Sequence, residues 1–200
     1  MPTLNVGDAD IYYEVQGNGP PFVFISETAC DGDVWNLFQV PEFSRDHRTI
    51  ITDFRGTGGS TRTPMRYTTR MFADDIAAVM EHLNATQAIV CGHSMGGRVA
   101  QLLALEHPKR VEKLILASSG AAHPSAHGIP LRIATQMVEM GYEKYVREHT
   151  IEVGWTEQYQ KDHPKEIEDC LKVRMANLSS VECYFRHVIA RQEHDTRHRL

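Results

Sequence analysis

Short, unbroken apolar runs alternate with amphipathic stretches through the first 120 residues, and this alternation most narrows what the chain can fold into. Phe22-Val23-Phe24-Ile25 is too short for a helix and has no polar member to face water, so it predicts a strand covered on both faces. Residues 48–53, 88–91 and 113–117 repeat that character, and 10–15 reads as a further strand, followed by a turn over 16–20. Between them lie helices. Phe72, Ile76, Val79, Met80 and Leu83 share one face of a 3.6-residue repeat, with Thr68 or Thr69 as the cap and Asp74 and Asp75 near the positive end. A second helix runs from about Gly96 to His107 and is stopped by Pro108. Strands alternating with helices imply an α/β fold around a mostly parallel sheet covered on both faces.

From about Gly120 helical patterns follow one another without strands. Ile133, Met137 and Met140 mark one helix, closed by Gly141. Pro164 suits a first helical position, and Ile167, Cys170, Leu171 and Met175 continue that helix's face. Ser179 and Glu182 have capping-box spacing ahead of a stripe of Val181, Tyr184, Phe185, Val188 and Ile189. The division expected is a core over 1–120, a helical unit over 121–192 and a solvated tail or linker over 193–200.

Charge and composition exclude some functions. Twenty-one basic against 26 acidic residues give a net charge of −5, which argues against a nucleic-acid partner held by its phosphates. The longest apolar run, over 76–80, is far short of the ~20 residues needed to span a bilayer, so no membrane partner is expected. The N-terminus carries no basic-then-apolar leader, and a cytoplasmic location follows as the expectation. Cys30, Cys91, Cys170 and Cys183 form no C-x-x-C pair and read as reduced thiols.

The chemistry centres on Gly92-His93-Ser94-Met95-Gly96, a G-x-S-x-G pattern between a strand ending at Cys91 and a helix opening near Gly96. A serine held there at positive φ would lift its hydroxyl above the sheet, and glycines two positions either side would let strand and helix pack closely. The helix N-terminus would offer N–H groups where an oxyanion develops. The plainer alternative is a glycine-rich turn that only packs or binds an anion.

With Asp53-Phe54-Arg55-Gly56-Thr57-Gly58-Gly59-Ser60, the acidic helix Phe72-Ala73-Asp74-Asp75-Ile76 and the run His107-Pro108-Lys109-Arg110-Val111, the chain resembles the α/β-hydrolase family. The resemblance implies that residues 121–192 form a helical cap and that the enzyme needs no cofactor and no metal. It implies hydrolysis of a small-molecule carboxylic ester or lactone by attack of Ser94, with the N–H groups of Met95 and Thr28 as oxyanion donors. Alternatives are a carbon–carbon hydrolase or peracid-forming enzyme of the same fold, a non-catalytic small-molecule binder, or a truncated fragment.

Two departures stand out. Ser26-Glu27-Thr28 replaces the family's His-Gly, and Glu27 is expected to be a solvent-facing loop carboxylate. The family's seventh and eighth strands, with the acid and histidine that follow them, have no counterpart, so the C-terminal strands are expected to be missing. The sixth strand is then an open apolar edge through which two copies could pair as a homodimer. Substitute bases considered are His93, adjacent to the serine, and His123 and His127, with Asp31 and Asp33 as orienting acids. Asp53 and Arg55 read as structural. His123/His127 and His194/His198 have i, i+4 spacing but lack the glutamate of a zinc helix, and the glycines over 56–59 lack a phosphate-binding lysine. Arg186, Arg191, Arg197 and Arg199 read as a solvated basic face.

Overall fold

In the computed structural model, which describes residues 2–123 and 129–199, six strands form one sheet in the order β1-β2-β4-β3-β5-β6. They are β1 (Thr3–Asn5), β2 (Asp10–Gln16), β3 (Pro21–Ile25), β4 (Arg48–Thr52), β5 (Ala88–His93) and β6 (Val111–Ala117). The β3–β4, β3–β5 and β5–β6 pairings are parallel, and only β1 and β2 run against their neighbours. The alternation in the sequence thus gives the mostly parallel α/β sheet expected. The short β1 has too few residues for a visible pattern, and it pairs with β2 through Leu4 and Ile11.

The first helices are α1 (Gln39–Phe43), preceded by a 3-10 turn over Gly32–Leu37, α2 (Thr69–His82) and α3 (Met95–Glu106). Thr68 caps α2 by accepting the Met71 N–H at 3.1 Å. Phe72, Ile76, Val79 and Met80 are buried on one face, each contributing about 1.5–3 kcal/mol relative to exposure. Beyond the helix, Asn84 turns into the left-handed region at φ +53°, and the chain enters β5.

Five helices follow: α4 (Ile129–Met140), α5 (Tyr142–Gly154), α6 (Glu157–Asp162), α7 (Pro164–Ala176) and α8 (Val181–Glu193). The sequence reading missed α5 and α6, whose apolar residues are too sparse to form a stripe; of the 13 residues in α5, Tyr145 and Val146 are buried. Ile133, Met137, Tyr145, Val146, Tyr184 and Val188 build a second core, which also takes in Ala29 from the loop after β3.

Three local expectations need correction. The cap of α8 is Ser180, which accepts the Cys183 N–H at 3.2 Å, whereas the Ser179 carbonyl receives the Tyr142 hydroxyl at 2.8 Å. The face α8 buries carries Cys183, Tyr184, His187 and Val188, leaving Val181 and Ile189 exposed. The segment after α8 is not wholly solvated. Thr196 is buried, with its N–H on the Ala121 carbonyl at 2.8 Å and its hydroxyl on Gln101 Oε1 at 2.6 Å, and buried His194 contacts Thr69 Oγ1.

At the other end, β6 pairs among the described residues with β5 alone, and Leu114, Ile115 and Leu116 are exposed along it. Among the described residues no helix is long and apolar enough to cross a membrane.

Candidate active site

Ser94 is the single residue between β5 and α3. It sits at φ +52°, ψ −113°, a conformation that costs a non-glycine residue about 1–3 kcal/mol. The neighbouring glycines permit the bend. A Cβ on Gly92 would lie 2.3 Å from the Gly96 carbonyl oxygen, and one on Gly96 would lie 2.2 Å from that of Ile25. The bend is tied down from β6 and beyond. Ser94 N–H donates to the Ala117 carbonyl at 2.9 Å, and the Ser119 hydroxyl donates to the Ser94 carbonyl at 2.8 Å.

The serine itself is half-buried. Its Oγ has no hydrogen-bond partner among the described residues, yet it is not one of the polar atoms sealed from solvent. Met95 N–H, in the first turn of α3, also lacks a partner there, as does Thr28 N–H. Thr28 lies just beyond the end of β3, which pairs with β5 through Ile25 and Gly92, and Met95 opens α3 just beyond the end of β5.

The loop carrying Thr28 is clamped by the C-terminal helices. Ala29 is held at φ +52°, its N–H donating to His187 Nδ1 at 3.2 Å and its carbonyl accepting Arg174 Nη1 at 2.9 Å. His187 Nε2–H in turn donates to the Arg55 carbonyl at 2.7 Å. This fixes a neutral imidazole, and burial pulls its pKa down to about 4. No sequence signal marked His187 or Arg174 as loop-holding residues, because their partners lie more than 100 positions away.

Glu27 does not face solvent. Its Oε2 pairs with His93 Nδ1 at 3.2 Å and its Oε1 lies 3.8 Å from Arg174 Nε. Burial pushes the Glu27 carboxyl up, but the His93 bond and the Arg174 charge together carry it below its usual value. The His93 bond to Glu27 raises the imidazole's pKa in return. The charge that would oppose an oxyanion is therefore neutralised in place, and His93 is turned away from base duty.

Arg191 is likewise no solvated end-of-helix residue; Nη1 donates to Thr28 Oγ1 at 3.3 Å. Asp31 precedes the Gly32–Leu37 turn without capping it, and burial with Asp53 and Asp33 nearby pushes its carboxyl up to about 7. Asp53 and Arg55 are structural as expected. Asp53 accepts the N–H groups of Gly32 and Gly59, and Arg55 makes two bonds to Asp75. His127 lies outside the described residues. Among those described, no histidine hydrogen-bonds Ser94. Two clefts, about 530 Å³ beside Leu37, Phe38 and Pro164 and about 310 Å³ beside Arg132, Tyr145 and His149, do not include it.

The clamp predicts a pH effect. A neutral folded-state His187 and an unfolded pKa near 6.5 mean that the unfolded chain binds more protons between those values. Stability is then lost as pH falls from about 6.5 toward 4, by about 3 kcal/mol for this one group. Asp31, with its raised pKa, has the opposite slope over an overlapping range. The informative quantity is therefore the difference between wild type and His187→Gln in urea melts at pH 7.5 and 4.5. The variant should lose less stability on acidification than wild type, and equal losses would remove His187 from this role.

Comparison with known proteins agrees with the fold. Residues 21–152 match the family model described as the alpha/beta hydrolase fold. Over 121 residues the chain is 33% identical to the provisionally named carbamate hydrolase RutD of Azorhizobium caulinodans, and 31% identical to 3-oxoadipate enol-lactonase 2 of Acinetobacter baylyi. Each match covers 60% of this chain and 45% of the relative, so the matched region is under half the length of these relatives. A thermophilic esterase from Thermogutta terrifontis superposes with a TM-score of 0.82 at 26% identity, covering 96% of this chain and 70% of that one. The enol-lactonase of Burkholderia xenovorans LB400 gives 0.84 at 24% identity, covering 97% and 74%. With its sheet order, its serine turn and a family match over 21–152, the chain belongs to the α/β-hydrolase fold family.

Proposed function

We propose that the protein hydrolyses a small carboxylic ester or lactone through an acyl-serine formed on Ser94. The observation that carries this reading is a half-buried serine hydroxyl on a strained turn that, like the N–H groups of Met95 and Thr28, has no hydrogen-bond partner among the described residues. In the first step Ser94 Oγ bonds to the carbonyl carbon, its proton leaves to a base, and negative charge collects on the carbonyl oxygen. The N–H groups of Met95 and Thr28 would donate to that oxygen, and each such donor is worth about 10²–10³ in rate. Collapse of the intermediate breaks the bond to the alcohol oxygen, which takes up the proton. Water then releases the acid by the same route. Hydrolysis is the activity in the names of relatives with this fold, among them an esterase and two enol-lactonases. Residues 121–192 would act as the cap over the substrate.

Active-site labelling of the full-length protein tests this. A fluorophosphonate should modify Ser94, located by peptide mass spectrometry, and Ser94→Ala should take up no label. Label retained in the variant, or no label on the wild type, would refute the assignment.

A further inference from the structure

Arg191 is a half-buried cation with no acid to hold it among the described residues. Arg55 has Asp75 and Asp8, Arg174 lies beside Glu27, and Arg186 pairs with Glu182, whereas Arg48 and Arg98, like Arg191, have no acid within ion-pair distance among the described residues; of these three Arg191 is the one whose guanidinium meets the Thr28 loop. Among the described residues Arg191 has no carboxylate within ion-pair distance, and no carboxylate figures among the charges acting on it. Its Nη1 meets only the neutral Thr28 hydroxyl, and its Nε is sealed from solvent without a partner. Nη2 also has no partner among the described residues and is not one of the sealed atoms, so one edge of the guanidinium is open toward them. Isolated buried charge is costly, and a cation with one free edge has an unmet need for an anion.

Its position is fixed relative to the serine. Arg98 Nη1, one turn into the helix that begins after Ser94, donates to the Arg191 carbonyl at 3.2 Å and so binds α8 to α3. The contact with Thr28 sets the guanidinium against the loop that offers the second free N–H. Arg132 and Glu152, of opposite charge, both act on Tyr145 and His149 along with Arg191. The nearest acid on the loop, Glu27, is already engaged by His93 and Arg174.

We propose that Arg191 receives a carboxylate carried by the substrate, so that the ester or lactone presented to Ser94 is an anionic one. This rests on the Ser94 reading for its substrate, but the pairing is a binding property and can be measured without turnover. Charge-assisted bonds to a guanidinium edge are strong and directional, so the effect should fall on affinity for anionic ligands alone.

The test uses the full-length protein carrying Ser94→Ala, titrated calorimetrically at pH 7.5 with monomethyl glutarate and with its neutral counterpart, dimethyl glutarate. The monoanion should bind about tenfold or more tighter. Arg191→Gln should erase that preference while leaving dimethyl glutarate affinity within about twofold. Arg191→Met, which keeps the apolar stem, gives the same reading if the glutamine variant does not fold. With Ser94 restored, loss of Arg191 should raise KM for the monoanion by about tenfold more than KM for the diester. Equal affinity for the two esters, or a preference that survives both substitutions, overturns the proposal. Arg191-dependent binding of the monoanion in a protein that neither hydrolyses it nor takes fluorophosphonate would leave this inference standing and remove the serine reading.

Discussion

Alanine at Gly96 is expected to destabilise the protein by more than about 3 kcal/mol, the upper end for forcing extra volume into packed structure. The clash is with main chain. The added Cβ would stand 2.2 Å from the Ile25 carbonyl oxygen and 2.5 Å from that of Ser26, and neither can move without separating α3 from β3. Gly92→Ala should behave alike, because its Cβ would meet the Gly96 carbonyl at 2.3 Å. Gly120 provides the control. There an added Cβ would come no nearer than 3.7 Å, to the Ala122 carbonyl oxygen, which is ordinary contact. Gly120→Ala should cost less than about 1 kcal/mol. Urea melts of the three variants give the comparison. Equal losses at positions 96 and 120 would mean that the close approach of strand and helix is not what the Gly96 position requires.

That contrast also marks what could be read from the chain before its structure. The turn at Ser94 was legible because its requirements are local: a positive φ at one residue and missing side chains two positions away leave a pattern within five residues. The α2 face and its Thr68 cap were legible for the same reason. Periodicity misplaced the buried face of α8, since it ranks side chains by apolarity and cannot foresee that His187 would be wholly buried by bonding to Ala29 and Arg55. Glu27 and Arg191 were misread as solvated charges on the same grounds. A charged residue goes inside only when a distant partner or a fixed acceptor meets it, and that partner has no mark in the neighbouring sequence. Of the stretches the alternation left blank, α5 and α6 carry mostly polar helix formers, whose placement is decided by packing on α7 rather than by their own pattern.

Asp75→Ala is expected to cost about 3–5 kcal/mol, the penalty for stranding a buried charge. Arg55 and Asp75 are about 5% and 6% exposed, and the guanidinium grips the carboxylate with Nε at 2.7 Å and Nη2 at 2.8 Å. Burial pushes the Asp75 carboxyl up and the two bonds from Arg55 pull it back, while those bonds hold Arg55 more firmly protonated. Without Asp75, the guanidinium keeps only Asp8, which is half in solvent. The damage should travel, because the Arg55 carbonyl receives His187 and His187 holds Ala29 beside Thr28. Asp75→Asn keeps an acceptor and the shape, so it should lose roughly half as much. The decisive comparison is the double variant Arg55→Met with Asp75→Leu, which removes both charges and should be more stable than Asp75→Ala alone despite carrying two changes. Denaturant melts of the single and double variants give the coupling directly. A double variant as unstable as the sum of its parts would show that the two residues act separately, and that the clamp on the Thr28 loop does not depend on their pairing.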